Sequence, residues 1–147
     1  MRRVSFTISG KPFAKQRPKF VRSTGRAFTP KETVAFESIV RDIALPHFPT
    51  PFEGAVEVSV VAVFEMAASW PAKKKAALMG KRHTQKPDVD NILKAALDGL
   101  NRVAFADDSQ VSDLRVAKMW GAVAGTTITI TTLEDEEDAR LAADALI

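Results

Sequence analysis

Three runs of alternating apolar residues, far apart along the chain, constrain the fold most. Arg3–Ser9 turns Val4, Phe6 and Ile8 to one side and Ser5, Thr7 and Ser9 to the other; Ala55–Met66 alternates Val56, Val58, Val60, Ala62 and Phe64; Thr126–Thr132 alternates threonines with Ile128 and Ile130. A period of two belongs to a strand with one buried face. In the middle run Val61 and Val63 fill the second face as well, which predicts a central strand. Val111–Trp120 reads as a further strand with Leu114 and Val116 inward. Helical periodicity lies between these runs. Thr29-Pro30-Lys31-Glu32 is a helix start, with Thr29 as cap, Pro30 at the first position and Glu32 closing a capping box. Phe36, Ile39, Val40 and Ile43 then share one face until Pro46. Pro71–Met79 is a short helix stopped by Gly80, and Lys81–Pro87 a polar basic loop. From Val89 to Val103 a single apolar stripe runs through Ile92, Leu93, Ala96, Leu97, Leu100 and Val103. The element order lacks regular βαβ alternation. It predicts an α+β domain with a mixed or antiparallel sheet packed with helices.

At 147 residues the chain suits a single domain, 1–147, whose last part, 133–147, reads as an acidic terminal helix capped by Thr132. Cysteine is absent, which excludes disulfides, thiol catalysis and cysteine zinc sites. With His47 and His83 the only histidines, a metal here would be a hard ion held by carboxylates. The start MRRVSFTISGK has no apolar signal core, and no run is long enough to span a membrane, so the expected location is the cytoplasm. Charge is more telling by position than in total. Residues 1–31 hold nine Lys or Arg and no acid; residues 132–147 net −5; the whole chain is +3, which leaves the body at +8. Such a body suits a polyanionic partner. Within residues 10–29, Phe20–Arg22 and Arg26–Phe28 form a candidate hairpin around Ser23-Thr24-Gly25.

The chemistry concentrates in Lys86-Pro87-Asp88-Val89-Asp90-Asn91-Ile92-Leu93-Lys94 and in Ala106-Asp107-Asp108-Ser109-Gln110-Val111. Asp88 and Asp90 stand two apart just before the stripe, where an extended backbone points both carboxylates the same way. Asp90 or Asn91 then opens the helix, and Lys94 follows one turn later on the face of Asp90. The spacing raises the question of whether Asp108 returns to meet Asp88 and Asp90. Converging carboxylates repel unless a divalent cation relieves them. Mg²⁺ suits a few Asp residues together with a phosphate. The same residues also read as an Asp90 helix cap, a surface Lys94–Asp98 pair and an Asp107-Asp108 turn.

KPDVDNILKAALDGLN (86–101), DDSQV (107–111), Arg115-Val116-Ala117-Lys118 and the opening GKPFAKQRPKF (10–20) together resemble the RusA-type Holliday junction resolvases, small endonucleases often carried by prophages. The likeness spans roughly residues 4–132. It implies an α+β homodimer that binds four-way DNA junctions and cuts two strands symmetrically in recombination and repair, with Mg²⁺, or Mn²⁺ as an alternative. By the same resemblance Asp88, Asp90 and Asp108 are metal-binding catalytic carboxylates and Lys94 a catalytic lysine; Asp107 and Gln110 are motif positions without an assigned role. Lys15, Arg17 and Lys19 fall where the family has DNA-contacting residues, and Arg22, Arg26 and Lys86 are basic neighbours read as DNA-binding with them. The acidic helix after Thr132 departs from the family pattern.

The competing reading is a non-catalytic DNA-binding or phage accessory protein whose carboxylates only cap helices and turns. A pure binder gains nothing from acids beside phosphate, so those carboxylates favour an enzyme. Trp70 and Trp120 read as core residues, and His83 as a loop polar group or phosphate contact. Phe13, Phe20 and Phe28, set among cations, are candidates for stacking on unpaired bases.

Overall fold

The alternating runs pair with one another although they are distant in sequence. In the computed structural model, which describes residues 1–133 and 141–145, the chain forms β1 (Arg3–Ser9), a short hairpin of β2 (Lys19–Val21) and β3 (Arg26–Phe28), α1 (Lys31–Ala44), β4 (Val56–Glu65), α2 (Ala72–Leu78), α3 (Val89–Leu100), β5 (Val111–Gly121) and β6 (Gly125–Thr132). The main sheet has the order β1-β6-β4-β5. β4 and β5 run parallel and the other pairs antiparallel, so the sheet is mixed. β4 is central and buries Val56, Val58, Val60, Ala62 and Phe64 on one face. Phe6 and Ile8 of β1 and Ile128 and Ile130 of β6 extend that face. On the opposite face β1 and β6 hold hydroxyl pairs, Ser5–Thr129 at 3.0 Å and Thr7–Thr127 at 2.9 Å.

α1 and α3 pack against each other over the apolar face of the sheet, with Val40, Ala44, Ile92, Ala96 and Leu100 in the core. Their crossing turns on Gly99. A Cβ there would lie 2.6 Å from Val40 Cβ, 2.8 Å from Val40 Cγ1 and 3.2 Å from the Glu37 carbonyl. Val40 is fully buried and has nowhere to move. Alanine is the better helix former by about 1 kcal/mol, but the clash opposes it. Gly99→Ala is therefore expected to destabilise the fold by about 1–3 kcal/mol, read as a lower urea midpoint at unchanged m-value.

The expected face of α1 packs inward at Val40, Phe36 and Ile43, and departs at Ile39. Thr33, Val40 and Ala44 are buried, whereas Ile39 is 48% exposed. Pro30 takes the N-cap position in extended geometry and no side chain caps the helix, so Thr29 and Glu32 form no capping box. Pro46 does not end the helix abruptly, because a 3-10 turn carries it on through Leu45–His47. Leu114 shares a sheet face with Val58, yet on the edge strand β5 it stays 47% exposed. Most of the acidic helix expected over 133–147 lies outside the described residues. Among the described residues no helix is long and apolar enough to cross a membrane.

Candidate functional site

The first turn of α3 carries the chemistry-bearing residues. Asp88, not Asp90 or Asn91, occupies the N-cap, with φ −74° and ψ 149°, and Val89 is the first helical residue. Although placed to cap, the Asp88 side chain accepts no capping hydrogen bond. Asp88 and Asp90 are both exposed, at a helix end whose unpaired N–H groups favour negative charge. Both carboxylates are therefore available, and the Asp90-cap reading falls away. Lys94, one turn on, is exposed and forms no ion pair among the described residues.

The opening basic segment flanks this turn on both sides. Lys15, Gln16, Arg17 and Pro18 line one groove with Asn91 and Lys94. Lys11, Pro12, Phe13 and Ala14 line another with Lys86 and Pro87. A backbone bond from Lys15 N to Asn91 O, 2.8 Å, fastens the segment to α3. Lys15 itself is spent internally. Its ammonium donates to Asp98 and, at 3.3 Å, to Glu37 Oε1. Burial works against its charge, but the two carboxylates outweigh that and hold its pKa above the ordinary lysine value. Asp98 is thus the partner of Lys15 and not of Lys94. This corrects the expected Lys94–Asp98 pair and shows that the Lys15 cation is shared with two carboxylates of its own chain. Arg17, Lys19, Arg22, Arg26 and Lys86 are exposed and unpaired among the described residues.

Asp108 does not join Asp88 and Asp90 within the chain. It opens a 3-10 turn that leads into β5 at Val111. The other end of α3 meets β5 near Lys118, whose Nζ reaches the carbonyls of Gln85 and Pro87. From Val111 to Lys118 a strand rises about 23 Å, so Asp108 and Asp88 stand near opposite ends of β5. Among the described residues no three carboxylate or imidazole side chains come together as a metal site. Asp107 and Gln110 have structural work instead. Asp107 closes a capping box with Gln110, and hydrogen bonds from Ser109 hold its carboxyl below the ordinary aspartate range. Gln110 Nε2 donates to Phe52 O and Gly54 O, both at 2.9 Å, pinning the turn to the loop before β4.

The sequence profile of the family described as Endodeoxyribonuclease RusA matches residues 9–131, which include both acidic segments and the basic opening. The chain belongs to the RusA endodeoxyribonuclease family. A protein of Bacillus subtilis (strain 168) described as Uncharacterized protein YqaN is 36% identical over 124 residues, covering 80% of this chain and 87% of the relative.

Two residues, His83 and Lys118, have positioning roles beside the acidic turn of this RusA-family chain that their sequence pattern does not reveal. Residues 80–83 run along the outer edge of β5, with bonds from Gly80 N to Trp120 O, Trp120 N to Lys81 O and His83 N to Lys118 O. His83 lies in the loop between α2 and α3, as expected, but its side chain is not exposed for a phosphate contact. Its ring is buried, 4.0 Å from that of Phe64 and 4.5 Å from that of Trp120 between centroids. Burial, and then the Lys118 charge, push its pKa below the ordinary histidine value. The Lys118 ammonium then holds the last carbonyls before Asp88, Gln85 O at 2.6 Å and Pro87 O at 2.8 Å. Lys118 belongs to the family-like run Arg115–Lys118, but that run does not reveal its role, because its partners are about thirty residues upstream. Lys118→Met keeps the apolar stem and loses both bonds. It is expected to slow cleavage roughly ten- to a hundredfold through misplacement of Asp88 while leaving DNA affinity near wild type, with partial rescue by Lys118→Arg. Single-turnover cleavage and binding titration on the same substrate check this split.

Proposed function

We propose that this RusA-family chain is a Mg²⁺-dependent nuclease, with Mn²⁺ as an alternative ion, that resolves four-way DNA junctions by symmetric paired cuts as a homodimer. The observation that carries the reading is the first turn of α3: two exposed carboxylates, neither used as a cap, set between grooves lined with Lys11, Arg17, Lys86 and Lys94. A DNA-binding surface has no use for two acids at its centre unless a cation offsets them.

The donor set fits a hard cation, which takes oxygen ligands and is commonly held by one or two carboxylates, waters and substrate phosphate. Asp88 and Asp90 would hold it; when bound, it supplies an activated water and charge neutralisation at the scissile phosphate. Lys94 presents its ammonium one turn from Asp90, where it can offset negative charge building on the phosphate. Arg17, Lys19 and Lys86 grip the backbone by charge, and Lys15 braces the segment against Asp98 and Glu37. A third carboxylate, Asp108, can reach the Asp88–Asp90 pair from a second chain, which gives a dimer a catalytic reason to exist. The two-fold symmetry of such a dimer matches a junction with two equivalent strands to cut.

The test is incubation of purified protein with a synthetic four-way junction and a matched linear duplex, with and without Mg²⁺. Paired nicks in the junction alone, and only with the ion, are expected. Cleavage in EDTA, or equal cutting of the duplex, would refute the reading.

A further inference from the structure

We propose that the β2–β3 hairpin is an aromatic wedge that stacks on unpaired bases at the branch point of the junction; this rests on the junction-resolving reading above. All six strand residues of the hairpin are exposed, Phe20 by 73% and Phe28 by 47%. Its register pairs Lys19 with Phe28, Phe20 with Ala27 and Val21 with Arg26. Directly opposite residues share a face and successive ones alternate. Phe20 and Ala27 therefore lie on one face, and Phe28, with Lys19, Val21 and Arg26, on the other. Docking either face onto the body of the protein would leave the other aromatic in water. An occupant that offers π-faces on both sides satisfies both rings, and separated bases of an opened duplex do so.

Charge and position select the same partner. Lys19, Arg22 and Arg26 form no ion pair among the described residues, and residues 1–31 contain no acid. The hairpin starts at Lys19, immediately after the groove that Arg17 and Pro18 share with Lys94. DNA seated on the α3 turn thus continues directly onto it. Phe13, the other aromatic of this basic segment, behaves differently: it stacks internally on Phe36 with centroids 4.8 Å apart. Intact duplex keeps its bases stacked on each other and gives the exposed rings nothing. A branch point, where stacking is interrupted, gives them bases. The hairpin therefore separates junction from duplex, whereas the surrounding cations bind both.

The experiment compares wild type, Phe20→Ala, Phe28→Ala, the double variant and Phe20→Trp. Affinity is measured for a four-way junction and a linear duplex at one salt concentration, with 2-aminopurine placed at the branch point. Each alanine is expected to weaken junction binding about tenfold and to reduce the fluorescence change of the branch-point base. Duplex affinity and the urea midpoint should stay at wild-type values, and Phe20→Trp should retain junction binding. A double variant that keeps the junction preference of a junction-preferring wild type overturns this inference alone, as does equal loss on junction and duplex. A wild type that binds junction and duplex alike overturns the junction reading and this inference with it.

Discussion

Asp90→Asn is expected to abolish strand cleavage while DNA binding stays at wild-type strength or tightens. The substitution keeps the shape of the side chain and removes one charge. Asp90 is exposed in the first turn of α3 and caps nothing, so the fold loses little beyond its interaction with the helix end, at most about 1 kcal/mol. Cleavage loses one of the two carboxylates proposed to hold the cation, and a fall of at least about a hundredfold is expected, roughly 2.7 kcal/mol of barrier. Binding gains because a carboxylate that repels phosphate has gone. Single-turnover cleavage of a labelled junction, with affinity measured on the same substrate, gives both quantities. Cutting near the wild-type rate would remove Asp90 from the site.

Mixing Asp90→Asn chains with Asp108→Asn chains is expected to restore nicking that neither variant shows alone. The reason is the length of β5, which puts Asp108 near one end and the Asp88 turn near the other. If Asp108 of one chain serves Asp88 and Asp90 of the other, a mixed dimer holds one site with both alterations and one with neither. The intact site cuts one strand, so the product is a nicked junction and not two resolved duplexes. If Asp108 served its own chain, every site in the mixture would carry an alteration and no activity would return. The readout is nicked product on a denaturing gel against mixing ratio, with each variant alone as the baseline.

Much of the fold was legible because it rests on local periodicity. Alternation in Arg3–Ser9, Val56–Phe64 and Thr126–Thr132 marked three strands of the sheet, including its centre. The stripe from Ile92 to Val103 marked α3, which ends at Leu100, three residues before the stripe does, and Ser23-Thr24-Gly25 marked the hairpin turn, where Gly25 has φ +66°. The Asp88–Asp90–Lys94 spacing was legible for the same reason, since residues within one turn of a helix start have their relative positions set by that helix.

What local pattern could not determine is what lies opposite each residue. Ile39 repeats with the apolar residues of α1, yet it stays exposed while Val40 meets Gly99 and the polar Thr33 is buried. Lys15 reads as one more cation until Asp98 and Glu37, distant in sequence, take its ammonium. His83 reads as a loop residue and is one, but Phe64 and Trp120 enclose its ring. Asp108 reads as a neighbour of Asp88 and Asp90 in its own chain until the run of β5 carries it away from them. The sequence by itself determined which segments are strand or helix and which side chains carry chemistry, because backbone periodicity and side-chain identity are local properties. Only the tertiary structure decided which charges are spent, which aromatics are free and which carboxylates can meet, because those depend on pairings across tens of residues that no local pattern encodes.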